Sequence, residues 1–463
     1  MTVNNTNWAE ESVFYHIYPL GLCGAPEQNE FDSGPVPRIR TLENWIPHMK
    51  NLGINALYLG PVWASGAHGY DTVDYFYCDR RLGTNEDLEQ TISALQANGI
   101  KVILDGVFNH VGRDFWAFRD LMKHKENSSY KDWFLDINFG ESSPYGDPFT
   151  YQGWEGCMDL VKLNLQNPEV RQHLLEAVNM WIDRFKINGL RLDVAYSLDM
   201  NFLYEITKLC KGKDPSFFLL GEVIHDDYRR LAGDGPLDSV TNYECFKGLY
   251  SSHSDANFFE IAHTLKRQFE NGGIYHDFPL YNFVDNHDVN RVATNLGREE
   301  HLYTLYPLLF TIPGIPSIYY GSEWGIQGNK EKHGDGILRP ALNLDEIAQQ
   351  APQPDLPGVL TRLAGIRKNT PALIYGGYAE AYVNHQVFGF LRKHENEEIL
   401  VIVNSSDENQ GIKAGEIKNT NAAGRRWEDI LNNGEEFYPS DENDTITVTP
   451  HWARILRSNS PII

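Results

Sequence analysis

The sequence is poor in cysteine and has no long apolar run. Its five cysteines are scattered, without the paired spacing typical of zinc sites or disulfide frameworks, so we expect free thiols in a reducing compartment. No apolar stretch approaches the roughly 18 residues of a membrane span, and the first residues lack the basic and apolar regions of a secretory signal. We therefore expect a cytoplasmic protein that has no membrane partner.

Basic charge is also scarce, whereas aromatic side chains are abundant. Lys and Arg number 40 against 63 Asp and Glu, and the resulting net charge of −23 would repel a phosphate backbone. We therefore expect no nucleic-acid partner. Trp, Tyr and Phe make up 12% of the chain, and flat rings stack well on the apolar faces of sugars. Although most of these rings are expected in the core, they hint at a sugar ligand.

Eight short apolar runs, each ending in a polar residue and followed by a helical pattern, recur along the chain. They are too short for helices and too uniformly apolar for strands with one solvated face, which predicts the buried strands of a parallel sheet. Eight such strands alternating with helices predict an α/β protein with a (β/α)8 TIM barrel rather than a doubly wound sheet. The runs cover residues 13–19, 56–62, 101–107, 189–195, 217–223, 239–244, 281–287 and 317–323.

Two stretches interrupt this rhythm and predict the domain organisation. Residues 111–167 are rich in Gly, Ser, Asp and aromatic residues and are too long for a simple loop, so we expect a small inserted subdomain over the site. From residue 373 the pattern changes to alternating strands, which predicts a C-terminal antiparallel β-sandwich over 373–463. The barrel then comprises residues 1–110 and 168–372. Glycines just before four strands, at Gly53, Gly99, Gly189 and Gly314, predict left-handed helix caps.

Acidic residues stand at the ends of four predicted strands, at Asp105, Asp193, Glu222 and Asp288. In a barrel these strand ends converge on one face. One such residue could be a structural ion pair, but four in register favour a site. Glycoside hydrolysis uses one carboxylate to attack the anomeric carbon and a second, kept protonated by crowding, to donate to the leaving oxygen. Arg191, two residues before Asp193, would point to the same side and hold that carboxylate ionised.

The segments around these acids resemble the conserved regions of glycoside hydrolase family 13, the α-amylase family, and the match extends over nearly the whole chain. The resemblance implies that Asp193 is the nucleophile, that Glu222 is the general acid and then base, and that Asp288 grips sugar hydroxyls. It also implies a retaining mechanism with a covalent glucosyl intermediate and carboxyl groups roughly 5 to 5.5 Å apart. The segments read DGVFNH at 105–110, GLRLD at 189–193, GEVIH at 221–225 and FVDNHD at 283–288.

The same resemblance implies a pocket for the sugar being cleaved. Tyr70 would stack beneath the ring, whereas the histidines and the arginine would bond hydroxyl groups or the nucleophile. Asp335 and Arg339 are similar to a pair that binds the next sugar, although residues four apart could equally form an ion pair. His68 and Tyr70 could equally only shape a loop. The implied pocket residues are His68, Tyr70, Asp105, His110, Arg191 and His287.

The sequence departs from the family pattern at a calcium site. Many α-amylases bind calcium through oxygen ligands that include the residue matching Asn109. Here Ser197 replaces a His and Asn164 replaces an Asp of the typical site. Because fewer charged ligands weaken such a site, we expect no calcium there, no other metal and no cofactor.

Substrate preference is indicated by weaker features. Lys162-Leu163-Asn164 and Val194 are similar to neopullulanases and cyclomaltodextrinases, whereas Ile224 and the 283–288 segment differ from them. The N-terminal extra domain of those enzymes is expected to be absent, since the first strand begins near residue 13. These features favour an intracellular hydrolase of α-1,4 and also α-1,6 bonds in short or cyclic maltooligosaccharides.

Three alternatives stay open at this point. A 4-α-glucanotransferase, or an α-1,6-glucosidase or isomerase, would use the same carboxylates, the transferase and isomerase by excluding water from the intermediate. A non-catalytic glucan-binding protein is the remote alternative, since such relatives generally lack the three carboxylates. The sequence leaves the oligomeric state, the preferred chain length and endo or exo action open.

Overall fold

The fold is that of a computed structural model, which describes residues 7–458. The two ends of the chain that the predicted domains include, 1–6 and 459–463, lie outside the described residues. Eight parallel strands surround its centre, and all are short. They are β1 Phe14–Ile17, β2 Ala56–Leu59, β3 Lys101–Gly106, β4 Gly189–Leu192, β5 Phe218–Gly221, β6 Ser239–Val240, β7 Tyr281–Asn282 and β8 Ile315–Tyr319.

These strands close into a barrel. β1 pairs with both β2 and β8, and pairing continues in chain order from β2 to β6 and from β8 back to β7. A bridge between Thr241 and Tyr281 joins the remaining two edges. The predicted (β/α)8 fold class is therefore confirmed.

Alternation along the strands divides the apolar side chains between two cores. Phe14, Ile103 and Phe218 belong to a cluster inside the barrel, whereas their neighbours Tyr15 and Leu219 belong to the larger core between strands and helices. All residues of β1, β2, β4 and β5 are buried. Burial on both faces explains why these strands read as uninterrupted apolar runs.

Helices connect most of the strands, but the connection from β5 to β6 differs. Its described residues form only the 3₁₀ turn Tyr228–Arg230, so the expected alternation of strand and helix is wrong here. The sequence GDGP at 233–236 explains the difference, because Gly and Pro disfavour a helix interior. The α-helices are Asn7–Glu10, Pro19–Leu22, Ile46–Asn51, Asn85–Ala97, Trp116–His124, Pro168–Phe185, Met200–Lys213, Tyr243–Ser254, Phe259–Phe269, Val292–Leu296, Leu302–Thr311, Lys330–His333, Leu344–Gln350, Leu356–Lys368 and Pro371–Tyr375, and the other 3₁₀ turns are Arg38–Trp45, Lys125–Asn127, Lys131–Trp133, Ala195–Ser197, Glu299–His301, Ser322–Trp324, Asp335–Leu338 and Ala414–Glu416.

Positive φ angles of 80° at Gly53 and at Gly99, each directly after the C-cap of a helix, confirm that part of the prediction. The cap predicted at Gly314 is wrong: its φ is 109°, but the preceding helix ends at Thr311 and is followed by extended Ile312. The prediction for Gly189 is wrong. Helix Pro168–Phe185 ends at Lys186, which itself has a left-handed φ of 54°. Gly189 lies in β4, where a Cβ atom would come 2.4 Å from the carbonyl oxygen of Phe218, so close strand packing explains this glycine.

Two excursions follow strands on the face where the acids lie. After β3, strands His110–Gly112, Gly153–Trp154 and Cys157–Lys162 form an antiparallel sheet. After β2, strand Trp63–Ser65 pairs with Thr72–Cys78. Both excursions start at carboxyl ends of barrel strands and therefore border the site.

The C-terminal region is antiparallel. Its six-stranded sheet packs against a two-stranded one, with Leu400 and Trp427 of the former in the same cluster as Ile412 and Ile446 of the latter. No helix within residues 7–458 is both long and apolar enough to cross a membrane. In spatial order the larger sheet contains Gly377–Val383, Val387–His394, Glu397–Asn404, Trp452–Ser458, Trp427–Asp429 and Glu435–Phe437, and the smaller one contains Gln410–Lys413 and Thr445–Val448.

Candidate active site

Arg191, in β4, contacts three carboxylates at the centre of the barrel face. Its Nη1 donates to both oxygens of Asp105, at 2.8 and 3.0 Å, and to Oδ1 of Asp193, at 2.7 Å. Its Nη2 lies 2.6 Å from Oε1 of Glu222. Burial by itself would lower the pKa of Arg191, but Asp105 and Glu222 outweigh burial and raise this pKa well above its ordinary value. The guanidinium therefore stays charged and holds the three acids together.

Asp193 follows β4 and is only 5% exposed. Burial, reinforced by Glu222 and Asp105, raises the pKa of Asp193 well above its ordinary value, although Arg191 opposes this shift. Nε2 of His110 lies 4.0 Å from Oδ2 of Asp193. Burial lowers the pKa of His110 to about 3, so this imidazole is neutral at neutral pH.

Glu222 follows β5 and receives a backbone donor from a strained turn. Val194, directly after Asp193, has a left-handed φ of 40° and ψ of 46°, which is costly for a β-branched residue. This conformation directs the N–H of Val194 at Oε2 of Glu222, at 3.0 Å. The strained turn therefore orients Glu222 relative to Asp193.

Asp288, after β7, is held by His287 and Arg339. Nε2 of His287 lies 2.9 Å from one carboxylate oxygen, and Nη2 of Arg339 lies 2.8 Å from the other. Partial burial would raise the pKa of Asp288, but His287, through charge and a hydrogen bond, and Arg339, through its charge, outweigh it and hold the pKa well below its ordinary value. Asp288 stays ionised, and its side chain is 36% exposed, so it remains accessible to a ligand hydroxyl.

Tyr70 joins the Asp105 side of the site to the Asp288 side. Its hydroxyl donates to Oδ2 of Asp105 at 3.1 Å and also contacts Nε2 of His287. The two rings are parallel, with centroids 5.3 Å apart. A planar apolar face therefore lies beside the carboxylates, as stacking of a sugar ring requires.

His68 and Asp335 lie at the exposed rim, with side chains 40% and 44% exposed. Nδ1 of His68 accepts from the N–H of Tyr70 at 3.2 Å, and Oδ2 of Asp335 lies 3.5 Å from Arg339. The expected alternative of an ion pair at 335 and 339 therefore exists, but Arg339 also contacts Asp288 at 2.8 Å. A cleft of about 500 Å³ opens between these rim residues. All the predicted site residues belong to this one connected group.

The sequence analysis missed several polar side chains of the same group. Tyr58 donates to Asp105 at 2.8 Å, Tyr243 contacts Glu222 at 3.5 Å, and Asn286 donates to the Tyr243 hydroxyl at 3.0 Å. The guanidinium of Arg339 lies 4.7 Å from the ring centre of Tyr18. One sequence signal was available for Tyr18, Tyr58, Tyr243 and Asn286: each is a polar or hydroxyl-bearing residue inside or shortly after an apolar strand.

Trp154 of the inserted sheet and Tyr196, in the 3₁₀ turn after β4, lie beside each other near the acids. The ring of Trp154 stacks near His110, with centroids 6.1 Å apart, and lies 6.2 Å from Tyr196. Burial raises the pKa of Tyr196 to about 12, and Glu155 and Glu222 add to that shift. Trp154 and Tyr196 therefore lie next to His110 and the two acids Asp193 and Glu222, and we call them the aromatic wall.

The expected calcium position has two uncharged amide side chains, those of Asn109 and Asn164. The amide of Asn109 faces Nδ1 of His110 at 3.0 Å, and Oδ1 of Asn164 already accepts from the N–H of Gln166. Within residues 7–458 no group of three or more His, Cys, Asp or Glu side chains could hold a metal ion. A hard divalent cation binds most strongly where carboxylate oxygens add charge, and these two amides carry none.

This arrangement suits acid–base and nucleophilic chemistry at an acetal centre. Two buried carboxyl groups share one guanidinium, a third is ionised nearby, and a flat ring provides a stacking surface. Buried like charges favour retention of a proton on one member of the pair. The site therefore contains one candidate nucleophile and one candidate proton donor.

Comparison with known proteins agrees with this chemistry. A family model described as "Alpha amylase, catalytic domain" matches residues 40–353, and one described as "Maltogenic Amylase, C-terminal domain" matches residues 381–455. The cyclomaltodextrinase of Thermoanaerobacter pseudethanolicus is 31% identical over 435 residues, covering 89% of this chain and 73% of that protein. The intracellular maltogenic amylase of Bacillus subtilis is 27% identical, covering 100% of this chain and 79% of that one. The structure of the cyclic α-maltosyl-(1→6)-maltose hydrolase from Arthrobacter globiformis, in complex with cyclic α-maltosyl-(1→6)-maltose, matches with a TM-score of 0.81 at 26% identity, covering 98% of this chain and 100% of that chain.

Proposed function

Because the chain belongs to the α-amylase family of glycoside hydrolases, we propose that it hydrolyses α-glucosidic bonds in short or cyclic maltooligosaccharides with retention of configuration. The observation that carries this proposal is the contact of one guanidinium, that of Arg191, with both Asp193 and Glu222. It brings a nucleophile and an acid within reach of one glycosidic bond. The preference for short or cyclic substrates is supported by what the named relatives act on.

The proposed reaction has two steps. Asp193 attacks the anomeric carbon while protonated Glu222 donates its proton to the leaving oxygen, which yields a covalent glucosyl intermediate. Ionised Glu222 then takes a proton from water, which attacks the same carbon and releases Asp193. Asp288 accepts hydrogen bonds from sugar hydroxyls, and its low pKa keeps it ionised throughout.

In this proposal the substrate extends from the aromatic wall to the cleft at the exposed rim. Glu222 must face the leaving oxygen, so the leaving sugar lies on the side of the aromatic wall, Trp154 and Tyr196. The cleft lined by Tyr18, His68 and Arg339 then receives the sugars on the non-reducing side. The aromatic wall would also hold a sugar acceptor, so we propose transglycosylation as a side reaction.

Product analysis tests the main proposal. The protein is incubated with maltotriose, a cyclodextrin, pullulan, starch and isomaltose, and products are separated by chromatography. We expect faster cleavage of the cyclic and short substrates than of starch, and an α-configured first product by NMR. Failure to cleave any of the five would overturn the hydrolase proposal, and products that are mainly longer than the substrate would replace it with a transferase.

The role of Glu222 is tested with a matched pair of variants. Glu222→Gln removes the proton donor and should lower kcat by several orders of magnitude while sugar binding persists. Glu86→Gln makes the same chemical change in a surface ion pair with Arg184 and should leave kcat unchanged. Activity of Glu222→Gln within a few-fold of wild type would show that another group is the acid.

We further propose that activity needs no calcium and that the protein acts in the cytoplasm. The first proposal rests on the uncharged side chains of Asn164 and Ser197 at the expected calcium position, and the second on the named intracellular relative. Melting curves with EDTA and with added calcium test the first: a fall in Tm with EDTA that calcium restores would contradict it. Fractionation of the source cells tests the second.

A further inference from the structure

Tyr243 contacts the proposed acid from the helix that follows β6. It is the first residue of helix Tyr243–Ser254, and its hydroxyl lies 3.5 Å from Oε1 of Glu222. Its ring packs edge-on against Phe283, with centroids 4.9 Å apart. We infer that Tyr243 is a positioning residue that controls protonation of Glu222 and links it to the loop carrying Asp288. This inference rests on the proposed function.

Asn286 fixes the direction of the hydrogen bonds. Its Oδ1 accepts from the backbone N–H groups of Asp288, at 2.8 Å, and Val289, at 3.2 Å. Only an oxygen can accept from these donors, so the amide nitrogen of Asn286 must face Tyr243, 3.0 Å from its hydroxyl oxygen. The Tyr243 oxygen thus accepts from Asn286, and its own proton is free to be donated to Glu222.

The hydrogen bond that Tyr243 donates to Glu222 affects both steps of the proposed reaction. A hydrogen bond donated to a carboxyl oxygen favours the ionised form, because the charged acceptor binds the donor more strongly. Glu222 must lose its proton in the first step and act as an ionised base in the second. The Tyr243 hydroxyl therefore favours the state that Glu222 reaches after protonating the leaving oxygen.

The other groups around Glu222 do not depend on Tyr243. Arg191 contacts Oε1, Val194 donates to Oε2, and Asp193, Tyr58 and Tyr196 lie close enough to interact electrostatically. Removing only the Tyr243 hydroxyl leaves these groups in place. A change in the pH profile then reports on that hydroxyl.

The test is the pH dependence of kcat/KM on a maltooligosaccharide for Tyr243→Phe. The acid then stays protonated to higher pH, so the basic limb should move upward by roughly half to one pH unit. Because Glu222 is then a weaker acid, the first step should be slower and should lower kcat/KM by about tenfold. Tyr250→Phe is the matched control, because it removes a hydroxyl from the same helix and also packs on Phe246. It should change neither quantity.

An unshifted basic limb in Tyr243→Phe would overturn the inference, even if kcat fell, because a purely structural role would lower activity without moving the limb. Asn286→Ala tests whether Asn286 links Tyr243 to the loop carrying Asp288. If it does, kcat/KM of the double variant Tyr243→Phe/Asn286→Ala should fall by less than the product of the two single-variant factors. Multiplicative losses would disprove the link. A wild-type protein inactive on all maltooligosaccharides would instead refute the proposed function itself.

Discussion

Arg191 shows how one side chain can organise a site whose acids come from different strands. Asp105, Asp193 and Glu222 are far apart in sequence, and parallel register brings their strand ends to one guanidinium. Lysine offers one compact ammonium in place of the planar fork, whose two terminal nitrogens here reach Asp193 and Glu222 separately. The bridging geometry is therefore specific to arginine.

We expect Arg191→Lys to lower kcat/KM by at least about 100-fold, because the nucleophile and acid lose their common anchor. Steady-state kinetics on maltotriose measures this. Arg184→Lys, in a partly exposed pair with Glu86 and Glu89, is the control and should retain activity. A loss smaller than about tenfold for Arg191→Lys would mean that the arginine fork does not position the acids.

The pH dependence of the wild type follows from Asp193. Burial, then Glu222 and Asp105, raise its pKa above its ordinary value of about 4. The nucleophile must be ionised, so activity falls as pH drops through this raised pKa. We expect the acidic limb of kcat/KM clearly above pH 4. Because the two acids interact, the limb reports the pair rather than one residue. An acidic limb at or below pH 4 would contradict the burial argument.

Strand-end acids were predictable from the sequence, whereas their supporting contacts were not. Asp193 and Glu222 stand directly after apolar runs, a position that a barrel always brings to one face. Tyr243 and Asn286 reach the site through side-chain directions set by a helix start and a side-chain turn. Only the folded chain defines those directions.

Among secondary-structure elements, the inserted sheet brings Trp154 to the site. We expect Trp154→Ala to raise KM for maltotriose about 3- to 10-fold and to reduce transfer products, since a lost aromatic stack costs about 0.5–1.5 kcal/mol. Tyr145→Ala is the control: it lies in the same insert, is 51% exposed, and its ring contacts Arg113. An unchanged KM and product pattern for Trp154→Ala would remove this ring from the substrate path.

The elements that departed from expectation have two different physical reasons. Gly189 is glycine because β4 packs tightly beside β5, and the connection after β5 lacks a helix because of its Gly and Pro content. A glycine before a strand has the same appearance in sequence whether it ends a helix or fits a crowded strand. Packing between strands, which sequence periodicity does not report, decides between the two.

Across the whole molecule, two buried arginines meet at the junction between the barrel and the C-terminal sheet. Arg392, in strand Val387–His394, donates to the carbonyls of Thr311, Leu373 and Gly376, at 2.6 to 3.2 Å. Arg367 donates to Leu373 as well. Burial lowers the pKa of Arg367 to about 10 and that of Arg392 well below its ordinary value. Backbone carbonyls thus accept hydrogen bonds from both guanidinium groups, and the carboxylate of Glu10 also favours the charged form of Arg367.

We expect Arg392→Met to lower the free energy of unfolding by about 2–4 kcal/mol, because the carbonyls of Thr311 and Gly376 lose their donor while buried. Relief of the buried charge offsets part of this loss. Urea unfolding measures the change, and kcat at 25 °C should be unaltered because the site residues keep their contacts. Arg457→Met, which breaks a partly exposed pair with Glu428 in the same sheet, should cost less than about 1 kcal/mol. Equal costs for the two variants would show that the carbonyl contacts of Arg392 do not stabilise the junction.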